Sequence, residues 1–158
     1  MSQESNNQLI TKFYKAFQNR DAEAMASCYH KDITFEDPAF GELKGKHAAN
    51  MWRMLLKQGD ASLKIRFSNV QATDSEGSCQ WEADYKFSKT GRMVNNEIKA
   101  KFQFKEGLIV DHRDSFSMWK WAQMALGPVG YFLGFTPIVK NKVRTQALKA
   151  LAQFENQS

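Results

Sequence analysis

Cysteine is scarce in this chain, with two residues among 158. Cys28 and Cys79 lie far apart, form no CxxC pair and have no metal-ligand spacing, so neither a disulfide framework nor a zinc module is indicated. We expect both to be reduced thiols in the core.

Several motifs with known chemistry are also missing. The sequence has no phosphate-binding glycine loop, no nucleophile elbow and no Walker sequence, which argues against nucleotide chemistry. The first residues, MSQESNNQ, have no basic region followed by an apolar run, so we expect a cytoplasmic protein without a secretion signal. The most apolar stretch, 118–135, is interrupted by Lys120, Gln123 and Gly127-Pro128, whereas a transmembrane helix needs about twenty mainly apolar residues.

Charge and composition are those of a globular domain. Hydrophobic residues make up 42% and charged residues 25% of the chain, and the formal net charge is +5. Much of the positive excess follows Pro137, where a solvated helix face is the favoured interpretation. The charged residues of this stretch are Lys140, Lys142, Arg144, Lys149 and Glu155. Basic residues interleaved with aromatics are absent, as are known modules, so we expect no nucleic-acid partner.

Apolar spacing predicts three helices in the first third of the chain. Leu9, Ile10, Phe13, Tyr14 and Phe17 recur at three- and four-residue intervals, which predicts an amphipathic helix over 6–17 that buries Tyr14. Asp21 is placed to cap a short second helix, and 47–57 has the spacing of a third. Residues 41–45 are predicted to form a loop.

Strand-like alternation accounts for most of the remaining core. In 32–37, alternation that turns Ile33 and Phe35 inward also turns the Asp37 carboxylate inward. Three or four further strands follow, joined by short glycine-containing turns that make neighbouring strands antiparallel. They are predicted in 63–67, 79–87, 96–104 and 110–116. The result is an α+β fold with N-terminal helices packed on a curved, mainly antiparallel sheet.

Four short motifs occur in a recognisable order: Lys12-Phe-Tyr14, Arg20-Asp-Ala-Glu-Ala-Met, Cys28-Tyr29 and Phe35-Glu-Asp-Pro38. They resemble the opening of the nuclear transport factor 2-like superfamily, which includes ketosteroid isomerases and SnoaL-like polyketide cyclases. The resemblance covers about residues 6–117. It implies a cystatin-like, cone-shaped fold around an apolar pocket, here a domain of 1–117 with a helical extension, 118–158, packed on it.

The resemblance also implies catalytic residues. Asp37 matches the general base of the ketosteroid isomerases, and Tyr14 matches the tyrosine that donates to the developing oxyanion. A strand-end carboxylate that caps a turn before Pro38 is the competing interpretation of Asp37. The second acidic donor of those enzymes falls at about Ala100 here, so steroid isomerisation is not favoured. His112 and Asp114 lie on one face of a strand, so we predict that they form an acid/base pair. They fill positions on the later strands where SnoaL-like members carry other ionisable groups. A structural role for that pair, buried or at a dimer interface, is the competing interpretation.

A further set of residues is expected to line the pocket and to favour a flat hydrophobic ligand. These residues are Tyr29, Trp52, Trp81, Tyr85, Asn96 and Phe102. No cofactor is expected, and a metal held by Asp37, His112 and Asp114 is the weakest hypothesis.

Three functional hypotheses follow. The first is a SnoaL-like protein that binds a small hydrophobic carbonyl-bearing molecule, with isomerase- or cyclase-like acid/base chemistry. The second is a non-catalytic ligand-binding or dimerisation module. The third is a peripheral protein whose segment 118–135 contacts a partner or membrane. For that segment the resemblance favours a lid or a homodimer surface over a membrane contact.

Overall fold

The computed structural model describes residues 2–134 and 136–157. Within them the chain forms six helices and six strands. In chain order these are α1 (Gln3–Gln18), α2 (Ala22–Ser27), β1 (Tyr29–Asp37), β2 (Gly41–Lys44), α3 (Lys46–Gln58), β3 (Lys64–Ala72), β4 (Glu76–Phe87), β5 (Arg92–Lys105), β6 (Leu108–Ser115), α4 (Met118–Leu126), α5 (Pro128–Leu133) and α6 (Pro137–Asn156).

The strands form one curved, unclosed sheet in the order β2-β1-β6-β5-β4-β3. Only the β1–β6 pair among these neighbours is parallel. The predicted α+β class, with N-terminal helices on a mainly antiparallel sheet, is therefore confirmed. The core lies between the inner face of the sheet and the helices.

The prediction of a loop over 41–45 was wrong, because Gly41–Lys44 is β2. It pairs antiparallel with β1 in the register Phe35 opposite Leu43 and Asp37 opposite Gly41. Gly41 has φ +72°, a conformation that glycine adopts at little cost. A four-residue strand has too few alternating positions to stand out in the sequence, and its pairing with β1 is a tertiary contact.

The first two helices begin at residues whose side chains cap them. The Ser2 hydroxyl accepts a hydrogen bond from the Ser5 amide at the start of α1, and Asp21 accepts one from the Ala24 amide at the start of α2, as predicted. The buried face of α1 includes Phe13 and Tyr14, both without solvent exposure. α1 therefore presents its aromatic rings to the sheet.

The C-terminal helices pack on the body of the protein at two places. α4 buries Met118, Trp121 and Ala122 in a cluster with Val94 of β5. α6 buries Leu151, and its Glu155 carboxylate lies 2.7 Å from His47 Nδ1 on α3. None of the helices so described is both long and apolar enough to span a bilayer. Phe135, the last residue of the apolar stretch, lies outside the described residues.

Candidate functional site

The His112 imidazole is fully buried and surrounded by aromatic rings. Their centroids lie 4.6 to 6.2 Å from its own. The surrounding rings are Phe13, Tyr29, Phe35, Trp52 and Phe102. β6 turns His112 inward, and its two neighbouring strands place Phe35 and Phe102 opposite it in register. This aromatic cluster isolates the imidazole from bulk water.

A continuous chain of hydrogen bonds runs through the cluster. The Trp52 indole donates to Tyr29 Oη at 2.9 Å, and Tyr29 Oη lies 2.7 Å from His112 Nδ1. On the other side of the ring, His112 Nε2 lies 2.9 Å from Asp114 Oδ1. The same carboxylate oxygen accepts from the Trp81 indole at 3.3 Å. The predicted His112–Asp114 pair is therefore formed, and it is buried.

One tautomer of the imidazole gives every donor of this chain an acceptor. Since an indole can only donate, Tyr29 Oη accepts from Trp52 and directs its own hydrogen to His112 Nδ1. His112 Nε2 then carries the proton and donates to Asp114. This arrangement gives every donor hydrogen of the chain an acceptor.

Tyr14 lies beside this chain but is not part of it. Its ring stacks on Phe67 and is tilted against Trp81, and the residue has no solvent exposure. Its hydroxyl has no hydrogen-bond partner of acceptable geometry in the described part of the chain, although the Cys79 thiol is close enough to act on it. Burial, followed by the nearby Asp114 carboxylate, raises the pKa of Tyr14 well above its usual value. An unpaired buried hydroxyl costs about 1–3 kcal/mol, so this donor requires an explanation.

Asp37 is the second inward-facing carboxylate. The parallel β1–β6 register pairs Phe35 with His112 and Glu36 with Arg113, which brings Asp37 alongside Asp114. Asp37 Oδ1 accepts from the Phe40 amide at 2.6 Å, so the carboxylate also closes the turn after β1. Burial raises the pKa of Asp37 to about 7; the Asp114 charge adds to this effect, and the Phe40 amide opposes it. Although the residue as a whole is of intermediate exposure, its carboxyl group is desolvated.

The predicted pocket-lining residues fall into two groups. Tyr29, Trp52, Trp81 and Phe102 belong to the aromatic cluster or its hydrogen-bond chain, and none is more than 7% exposed. Their rings pack against one another, so the expected apolar hollow is occupied by side chains, and a ligand pocket there stays a prediction.

The other two predicted residues lie away from His112, where α4 covers the sheet. Tyr85 Oη accepts from the Trp121 indole at 2.7 Å. Asn96 is buried on β5 opposite Ala83.

Some features of the site had no clear signal in the sequence. The resemblance leaves no acid at Ala100, yet Asp114 lies directly opposite it on the neighbouring strand. A carboxylate is therefore present one strand away from the expected position. Arg144 of α6 donates to the Pro38 carbonyl at 3.1 Å and favours the charged form of Asp37. A distant helix gives no local sequence signal of such a contact.

The described ranges, 2–134 and 136–157, contain no group of three or more His, Cys, Asp or Glu side chains placed to hold a metal ion. Cys28 and Cys79 are buried and free, as expected.

Comparison with known proteins agrees with this architecture. A family model described as "SnoaL-like domain" matches residues 10–112. No curated protein gives a significant match. Among solved structures, an LEH-like epoxide hydrolase of M. tuberculosis aligns with a TM-score of 0.65 and 18% identity, over 83% of this chain and 97% of that one.

Two further structures extend the comparison. A protein described as a candidate polyketide cyclase, from Xanthomonas campestris pv. campestris, has 15% identity and a TM-score of 0.65 over 78% of this chain and 98% of its own. A protein with a ketosteroid isomerase-like fold from Catenulispora acidiphila, in complex with trimethylamine, has 12% identity and a TM-score of 0.65 over 82% of this chain and 97% of its own. At these identities the likeness shows the fold alone.

Proposed function

Because this chain belongs to the family of SnoaL-like domains, we propose that it binds a small hydrophobic carbonyl-bearing molecule at the aromatic cluster and transfers a proton next to the carbonyl. The observation that carries the proposal is the Tyr14 hydroxyl, which is buried and, apart from the nearby Cys79 thiol, has no partner among the described residues. A ligand carbonyl oxygen would accept its hydrogen and offset the cost of leaving it unpaired.

Asp37 is the proposed base. With a pKa near 7 it exchanges a proton readily at neutral pH, which suits proton transfer from a carbon next to a carbonyl. In such a step Asp37 takes the proton, the electron pair moves to the carbonyl oxygen, and Tyr14 donates to the resulting enolate oxygen. Returning the proton to another carbon of the same molecule would complete an isomerisation. A donor of this kind contributes roughly a hundred- to a thousand-fold in rate.

The ring packing sets a condition on this chemistry. Because the aromatic cluster is closed in the structure, a ligand must displace rings of the cluster or the α4 helix that covers the adjacent Tyr85. Flat hydrophobic molecules replace aromatic side chains with the least loss of contact. We therefore expect a planar carbonyl compound.

The test is proton exchange at the methyl group of 4-fluoroacetophenone in D₂O, followed by proton NMR, with binding followed by fluorine NMR. We expect the protein to accelerate exchange, and Asp37→Asn and Tyr14→Phe to lower the rate about a hundred-fold or more. Tyr131→Phe, an equivalent change at an exposed tyrosine, is the matched control and should retain full activity. Neither binding nor exchange across a panel of planar ketones would contradict the proposal.

Stability measurements separate this role from a structural one. Tyr14→Phe removes no hydrogen bond of acceptable geometry, only a contact with the weakly accepting Cys79 thiol, so we expect its free energy of unfolding to be unchanged or about 1 kcal/mol higher. Tyr29→Phe breaks two buried hydrogen bonds and should lower it by about 1–3 kcal/mol. A large loss in Tyr14→Phe would show that the hydroxyl is paired in the free protein.

A non-catalytic binding module is the second candidate. It is favoured by the chain from Trp52 to Trp81, in which His112 and Asp114 are hydrogen-bonded to each other. Binding of the ketone without exchange would identify this alternative.

A further inference from the structure

Six large hydrophobic side chains of the C-terminal extension are exposed to solvent, by 41 to 79%. We call them the apolar face: Trp119, Val129, Tyr131, Phe132, Leu133 and Ile138. Elsewhere in the part of the chain that the structure describes, Met93 and Leu148 alone are exposed hydrophobics of this size. Exposed hydrophobic side chains concentrated within residues 119–138, with the Tyr131 ring in contact with Trp119 and Phe132, are typical of an interaction site.

The local packing holds the apolar face outward. Gly127, with φ +69°, ends α4 and reverses the chain into α5. Gly130 then lies so close to α4 that a β-carbon would come within 1.8 Å of the Ala122 carbonyl oxygen. Because the small residue of α5 is pressed against α4, the large ones face solvent. The Trp119 indole donates to the Tyr131 carbonyl at 3.0 Å and fixes the two aromatic residues together.

The segment that carries this face has charge of one sign. From Ser115 to Phe154 the sequence contains no Asp or Glu. Residues 115–158 contain five Lys and Arg against Glu155 alone, a net +4 of the total +5. Lys120, Lys140 and Lys142 are exposed close in sequence to the apolar face. The surface therefore combines exposed aromatic and aliphatic groups with cations.

We propose that the extension docks on the surface of an anionic phospholipid bilayer, with the apolar face at the level of the headgroups. Aromatic and aliphatic side chains enter the interface, while lysines remain at the phosphates, as in interfacial amphipathic helices. This contact needs no spanning helix. A second copy of the chain is a poorer occupant, since a symmetric contact would oppose two cationic surfaces with no acid in 115–154 to offset them.

Vesicle flotation tests the proposal directly. We expect the protein to bind phosphatidylcholine vesicles that contain about 30% phosphatidylglycerol at least ten-fold more tightly than phosphatidylcholine alone, and to be released by salt. The double variant Phe132→Ser/Leu133→Ser should lose binding at least ten-fold. Leu148→Ser, at an exposed leucine further along α6, should retain it.

A matched pair of charge variants locates the contact. Lys120→Gln/Lys140→Gln should weaken binding to the anionic vesicles several-fold. Lys99→Gln/Lys101→Gln removes the same charge from the exposed outer face of β5 and should leave binding unchanged. All four residues are exposed, so thermal unfolding should be unaffected.

Three outcomes would overturn the proposal. One is no binding to either vesicle, and another is equal loss in both charge variants. The third is a dimer, detected by light scattering, that is abolished by Phe132→Ser/Leu133→Ser, because the face would then be a self-association surface.

Discussion

At the scale of single residues, burial of the Asp37 carboxylate makes the stability of the protein depend on pH. Strand alternation turns it inward beside Asp114, and burial favours its neutral form. In an unfolded chain an aspartate titrates near 3.9, whereas here the pKa is about 7. The folded protein therefore holds a proton between about pH 4 and pH 7 that the unfolded chain releases.

This difference gives a prediction for the pH dependence of stability. The contribution of Asp37 is fully present below about pH 4 and is lost progressively as the pH rises to about 7. Asp37→Asn keeps an oxygen that can accept from the Phe40 amide and removes the titration. We expect the variant to exceed the parent protein in free energy of unfolding at pH 8 by on the order of 2 kcal/mol, after allowance for partial solvent exposure.

Urea denaturation at pH 4, 6 and 8 measures the effect. Asp74→Asn, at an exposed position in the turn between β3 and β4, is the control, and its free energy of unfolding should change with pH as that of the parent protein does. If the free energy of unfolding changed with pH equally in Asp37→Asn and in the parent protein, the assignment of a buried, proton-binding carboxylate would be contradicted.

At the scale of elements, the contact between α4 and α5 depends on glycine. The β-carbon of any other residue at position 130 would overlap the Ala122 carbonyl, and one at position 134 would lie 2.6 Å from Ala122 Cβ. Because these two glycines, four residues apart, have no side chains, their backbone can pack directly against Ala122 of α4. The α5 helix has only six residues, so this contact, and not helix propensity, keeps it in place.

We predict that Gly130→Ala displaces α5 from α4. The overlap is with backbone, which cannot rotate away, so we expect a loss of about 1–3 kcal/mol in the free energy of unfolding and faster proteolysis near α5. Val129→Ala, at an exposed site on the same helix, should cause neither change. If Gly130→Ala were cleaved no faster than the parent protein, the two helices would not be in such close contact.

At the scale of the whole molecule, the extension contacts the body through two separate surfaces. α4 packs on the β4–β5 end of the sheet through Trp121 and Val94, while α6 packs on α3 through Glu155 and His47. We therefore expect 1–117 and 118–158 to unfold together as one cooperative unit.

Trp121→Ala tests this coupling. It removes a side chain that is 8% exposed and whose indole donates to Tyr85. We therefore expect the free energy of unfolding to fall by about 3–5 kcal/mol. Thermal unfolding should remain a single transition, with near-UV and far-UV circular dichroism shifted to the same lower midpoint. Two separate transitions would show that the extension is an independent unit.

The sequence by itself determined which side chains face inward. Helical spacing identified Tyr14, and two-residue alternation identified Asp37, His112 and Asp114, because both periodicities follow from local backbone geometry. Tertiary structure alone decided how these groups meet: the β1–β6 register that brings Asp37 to Asp114, the approach of Tyr29 to His112 Nδ1, and the unpaired Tyr14 hydroxyl. It also decided the short strand β2 and the outward direction of the apolar face. These features depend on contacts between residues distant in sequence, which no local period specifies.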